Sequence, residues 1–171
     1  MKKKYRNNAW SLEYELESGK DFMEGAHIVI TDANNVRGHL VIPAEIGGHP
    51  VTHIGDLAFH GCSDMTNVTI PDSVTCIGTR AFEGCIHLAN VTIPDSVTSI
   101  GIGVFDECLK LTHVVLPERF AGKFTRYDFT GCSSALEIVY CTFQKPPVVR
   151  LWADERRNSP CWDLGLCKCF D

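Results

Sequence analysis

Long apolar runs are missing from this chain. None approaches the roughly 18 residues that a membrane-spanning helix needs, so the sequence predicts no membrane span. A secretory leader is missing as written: the basic start "MKKKYRNNAWSLEYEL" is not followed by an apolar stretch. The expectation is a chain kept inside the cell, or a mature or truncated form. A positive field is missing too. Sixteen basic residues face 21 acidic ones, for a net charge of −5. That argues against nucleic acid and against an anionic membrane surface, since both need clustered positive charge. Lys2, Lys3 and Lys4 form one short basic run and read as a solvated terminus.

Catalytic signatures are absent as well. The chain has no G-x-S-x-G, no phosphate loop and no H-E-x-x-H. His49 and His53 are four apart, but Pro50 lies between them and the text reads as a loop rather than a helical metal face. No catalytic, cofactor-binding or metal-ligating residue is assigned, no cofactor is expected, and the chain is not expected to be an enzyme.

What the chain has is a period. Its 171 residues, 44% apolar and 22% charged, suit one ordinary soluble domain. Set in rows of 23, residues 54–76, 77–99 and 100–122 align, and a degenerate fourth row follows at 123–145. The words "NVTIPDSVT" at 67–75 return unchanged at 90–98. Phe59, Phe82, Phe105 and Phe129 recur, so a large ring fills one slot in every row. Cys62, Cys85, Cys108 and Cys132 recur with them and read as a stack of small buried side chains. Disulfides within that stack would disturb a regular ladder. In "LANVTIP" the strand points Val91 and Ile93 inward and Asn90 and Thr92 outward. Pro71, Pro94 and Pro117 end each strand by removing a donor, and Asp-Ser supplies the turn. Gly55, Gly78 and Gly101 are expected to lead into a helical turn that carries the Phe. One row cannot bury its own apolar side, so the rows must stack.

These residues resemble the BspA-type leucine-rich repeats, whose unit reads much like "VTIPDSVTSIGxxAFxxC". The resemblance covers about Gly38 to Pro147. It implies a repeat solenoid: a short right-handed leucine-rich-repeat array with short stacked parallel strands and helical turns, and a β-rich N-terminal cap. The expected organisation is a cap and lead-in segment at 1–37, the array at 38–147 and a divergent Cys-rich tail at 148–171. "AWSLEYEL" alternates as a half-buried strand of the cap. Three departures stand out: Glu107 replaces the Gly of 61, 84 and 131; Gly103-Val104 replaces the Arg-Ala or Leu-Ala step; and "ERFAGKFTRY" loses the turn text. The tail holds Cys161, Cys167 and Cys169. Free thiols, a disulfide and a metal site are three readings of that run, in that order.

The resemblance implies non-enzymatic protein–protein interaction, as in bacterial surface proteins that serve adhesion and host binding. The partner is a protein of unspecified identity, and the oligomeric state is open. Two rivals are a structural fragment of a larger repeat protein and a metal-binding or hydrolytic site in the tail. On compartment the signals conflict. The resemblance points to the cell surface or secretion, whereas the nine cysteines and the missing leader point to a reducing cytoplasm. The candidate partner surface is the set of outward strand positions: Asn67 and Thr69, Asn90 and Thr92, His113 and Val115, then Ile138 and Tyr140. His39 and Val41 begin the same columns. The columns start polar and end apolar, which marks either a contact patch or the floor beneath an exit cap.

Overall fold

A computed structural model describes residues 2–6, 10–18, 25–142 and 145–151. In chain order the strands are β1 (Lys3–Arg6), β2 (Ser11–Glu17), β3 (His27–Asn34), β4 (Gly38–Val41), β5 (Glu45–Ile46), β6 (His49–Ile54), β7 (Met65–Thr69), β8 (Cys76–Ile77), β9 (Asn90–Thr92), β10 (Ser99–Ile100), β11 (His113–Pro117), β12 (Glu137–Thr142) and β13 (Lys145–Leu151). They form two sheets on either side of one core. The first runs β1-β2-β3-β6-β8-β10, with β5 as a side branch on β6; the second runs β13-β12-β11-β9-β7-β4. From β4 through β12 the second sheet is wholly parallel. Parallel neighbours cannot be joined by a tight hairpin, so the chain crosses to the other sheet and returns once per row.

The register equals the sequence period. Asn67 pairs with Asn90, and Asn90 with His113. The inward column is Leu40, Val68, Val91, Val114 and Ile138, each at most 6% exposed. The first sheet supplies the facing column of Ile30, Ile54, Ile77 and Ile100. Between the columns the Phe rings stack. Phe59–Phe82, Phe82–Phe105 and Phe105–Phe129 centroids lie 5.0, 5.8 and 6.0 Å apart, within 16° of parallel. Phe59, Phe82 and Phe105 are completely buried.

The connecting side departs from the expected helical turns. Residues 56–61 are consecutive turns and not α-helix. Two positions per row explain this. Leu57, Arg80 and Gly103 hold φ of 59°, 53° and 62°, and Gly61, Gly84, Glu107 and Gly131 hold 67°, 71°, 58° and 75°. A left-handed residue breaks a right-handed helix. The gain is a third ladder: the N–H groups of Leu57, Phe59 and Gly61 donate to the carbonyls of Thr79, Ala81 and Glu83 in the next row, at 3.0, 2.8 and 2.8 Å. Helix is confined to two short 3₁₀ segments, Glu118–Phe120 and Arg126–Phe129, within the described residues. They lie where the text loses "DSVTSIG".

Gly103 is therefore a better fit to its slot than Leu57 or Arg80, whereas Glu107 carries a side chain where its row-mates are glycine. Gly78 has a different reason. A Cβ there would come within 2.6 Å of Asp56 N and Gly55 C in the row before. Gly55, Gly78 and Gly101 recur because backbone passes directly over them.

Two outcomes follow from this packing. Phe82→Ala should cost roughly 3–5 kcal/mol in chemical denaturation, the range for emptying a buried ring site. Glu107→Gly should stabilise by about 0.5–1 kcal/mol, the left-handed penalty less the added unfolded-state freedom. Calorimetry should show its Tm raised by about 2–3 °C; a lower Tm would mean that the carboxylate contributes more than its backbone strain costs.

Candidate protein-binding face

The outer face of the second sheet carries two columns, set by the same pairing that builds the core. One is His39, Asn67, Asn90, His113 and Glu137; the other is Val41, Thr69, Thr92, Val115 and Val139. His39, Val41, Thr69, Asn90 and Thr92 are exposed, and Asn67, His113 and Val115 are half-buried. Local polar contacts hold the ends. His39 Nε2 and Thr69 Oγ1 are 2.7 Å apart. His113 Nδ1 lies 2.9 Å from Thr112 Oγ1, and its Nε2 lies 3.5 Å from Glu137 Oε2.

Ile138 and Tyr140 do not belong to these columns. Val114 pairs with Ile138 and Leu116 with Tyr140, so both point inward and are 1% and 7% exposed. The outward places fall to Glu137 and Val139 instead. A shift of one residue exchanges the two faces of a strand, and the irregular fourth row hides that shift in the text. Glu137 and Val139 are themselves 9% and 7% exposed. The accessible part of the face therefore ends at His113 and Val115.

The recurring cysteines have a specific task. Cys85, Cys108 and Cys132 each donate Sγ–H to the carbonyl of Phe59, Phe82 and Phe105 in the preceding row, at 3.2, 3.2 and 3.1 Å. Each of these carbonyls also accepts the N–H of the Cys in its own row: Cys62, Cys85 and Cys108, at 3.2, 3.3 and 3.3 Å. A carbonyl has two lone pairs, and the thiol occupies the second without adding bulk. Cys62, Cys85, Cys108 and Cys132 are all free thiols. Burial, the largest cause, pushes Cys62 and Cys132 up to about 11 and Cys108 up to about 12, and raises Cys85 as well. These thiols stay protonated at neutral pH and make poor nucleophiles.

His49 and His53 lie on β6 rather than in a loop. His53 packs against His27 of β3 with the rings tilted by 32° and 5.1 Å between centroids, and His27 Nε2 is 3.7 Å from Glu17 Oε2. Nothing in the text placed His27 beside His53, because they are joined only through the parallel β3–β6 pair. Among the described residues no group of three or more His, Cys, Asp or Glu side chains could hold a metal ion. Cys161, Cys167 and Cys169 lie outside the described residues.

The thiol ladder has a readable consequence. Unfolded thiols lose their protons near pH 9.0, the folded ones near 11–12. The unfolded state then binds fewer protons, so the stability from this ladder is complete below about pH 9 and is lost as pH rises towards 12. Tm measured against pH should fall across that window, and Cys108→Ser should flatten the fall. In the native state alkylation mapped by mass spectrometry should spare Cys85 and Cys108. Rapid native labelling of either would show that the rows open at these positions.

No curated protein matches the chain. Among solved structures, a leucine-rich repeat protein from Bacteroides capillosus is 23% identical, with a TM-score of 0.59 over 81% of this chain and 99% of that one. A leucine-rich cell surface protein from Faecalibacterium prausnitzii is 20% identical, with a TM-score of 0.33; this chain spans 50% of its length. The first likeness establishes the solenoid fold. The family model for the BspA type leucine rich repeat region matches residues 52–144 in 6 copies. Arrays of this kind generally serve as protein-interaction scaffolds. On that match, extending over more than half of its length, the chain belongs to the BspA-type leucine-rich repeat family.

Proposed function

We propose that the chain is a non-enzymatic binding module whose outer second-sheet face, centred on Asn90, Thr92, His113 and Val115, docks a protein partner. The observation that supports this most is the contrast between rows. The inward strand pair stays aliphatic, Val-Ile at 68/70 and 91/93 and Val-Leu at 114/116, whereas the outward pair changes from Asn-Thr at 67/69 and 90/92 to His-Val at 113/115. An exposed strand face with fixed spacing gives a partner a rigid surface that loses little entropy on binding. Asn67 and Thr69 extend the face at its polar end. Adhesion at a bacterial surface and host binding are the uses that the family resemblance implies, and they belong to the same reading.

The test uses the immobilised full chain to capture partners from host-cell and matrix extracts. His113→Ala combined with Val115→Asp should lose the captured protein while keeping its Tm within about 2 °C, as surface changes do. Asn67→Ala should weaken capture less. Capture of the same proteins by the double variant at undiminished yield would remove this face from the reading.

A further inference from the structure

Most histidines of this chain turn to an oxygen on another strand or row. His39 faces Thr69, His60 faces Glu83, His87 faces the Ser63 carbonyl and His113 faces Glu137. His27 and His53 meet ring to ring, with centroids 5.1 Å apart and planes tilted by 32°. His27 begins β3, the last strand of the cap, and His53 lies near the end of β6, in the array. The contact therefore spans the joint between the two.

A backbone irregularity makes the meeting possible. Ile28 pairs with Val51 and Val29 with His53, so Thr52 is an extra residue in β6. Such a bulge re-aims the neighbouring side chain and is over-represented beside functional sites. Here Val51 and Ile54 both stay in the core, at 0% and 1% exposed, while His53 turns to the outer face of the first sheet. His27 reaches the same face by strand alternation, two residues before Val29. Its side chain is 18% exposed and His53 is half-buried, so both rings are partly open to solvent.

Each ring is oriented at one nitrogen by an oxygen. Thr52 Oγ1, on the bulge residue itself, lies 2.7 Å from His53 Nδ1. Glu17 Oε2 lies 3.7 Å from His27 Nε2, in ion-pair range. A neutral ring whose proton is turned to an oxygen presents the lone pair of its other nitrogen, and such an oxygen is the usual support of a metal-ligating histidine. The lone pairs then belong to His53 Nε2 and His27 Nδ1. Spacing agrees with that role. An imidazole nitrogen lies about 1.15 Å from its ring centre and Zn–N bonds are about 2.0–2.1 Å, so two rings on one tetrahedral ion have centres about 5.2 Å apart. The separation here is 5.1 Å.

We propose that His27 Nδ1 and His53 Nε2 bind one divalent zinc-class ion, which braces the cap against the array. Imidazole suits zinc, copper and nickel, whereas calcium and magnesium take oxygen. Among the described residues no third His, Cys, Asp or Glu completes the set. Water takes the remaining places, so the site is open and weaker than a closed structural one. The brace falls where the first sheet joins cap to array, through the β3–β6 pair. The bond from Gly55 N–H to the Ile30 carbonyl, at 2.8 Å, lies at the same joint. This site is on the first sheet and does not depend on docking at the second.

The probe is Zn²⁺ alone, titrated into the full chain after dialysis against a chelator. Nitrogen NMR of isotope-labelled histidine is the readout, because it reports these rings whatever the thiols bind. The His27 and His53 signals should shift together and saturate by about 1 mM, the weak limit for a specific contact. Hydrogen exchange at the Gly55 amide should slow at saturation, as the joint opens less often. His27→Gln and His53→Gln should each weaken binding at the surviving ring at least about tenfold, and Thr52→Val, which removes no ligand, about tenfold. Without zinc the Tm of all three should stay within about 2 °C of the parent, which separates the site from the fold. Absence of saturation by about 1 mM, an undiminished shift at the surviving ring of either Gln variant, or unchanged exchange at Gly55 would each overturn the proposal.

Discussion

Every row of this solenoid depends on the identity of its neighbour. A row holds its apolar residues on one side and its polar backbone along its upper and lower surfaces. Neither can be satisfied alone. The bonds that settle this run between equivalent positions. Cys85 reaches the Phe59 carbonyl, Ser96 the Val74 carbonyl and Thr98 the Thr75 carbonyl, each donor reaching back about one row. Main-chain N–H groups on the turn side reach forward to the next row. The repeated text is therefore a hydrogen-bonding requirement as much as a packing one: a residue must match the row above and the row below at once.

That coupling explains which features were legible in the sequence. The Phe and Cys columns, the inward Val and Ile positions and the outward Asn and Thr positions of the regular rows all follow from the period and strand alternation. The thiol's partner was less accessible. Small size and burial were readable, whereas the second lone pair of a Phe carbonyl appears only once the rows are stacked. The helical turn was a wrong expectation, because a Gly-rich arc with left-handed residues at two fixed positions resembles a helix start in one dimension. Leu57 and Arg80 occupy one of those positions without any glycine to announce it.

The fourth row shows the limit of reading by alignment. Once "DSVTSIG" gives way to "ERFAGKF", the phase of the following strand has no internal marker. Ile138 and Tyr140 looked outward by a one-residue choice, and the pairing of Val114 with Ile138 reverses it. The candidate face changes character as a result. It loses an aromatic anchor and ends in a His113–Glu137 pair beside Val115, so its chemistry is more polar than the text suggested.

The two ends of the molecule are closed on opposite sheets, by β1–β3 on the first and by β13 on the second. Nothing in either closure refers to how many rows lie between. A whole row can therefore be added or removed while both closures keep their contacts, and the irregular last row, in which Phe129 follows Phe105 by 24 residues and still stacks on it, shows that the turns absorb an extra residue as long as the Phe and Cys slots are kept. Length in this protein comes in rows, and the nine residues shared by 67–75 and 90–98 are one row's stacking requirement written twice.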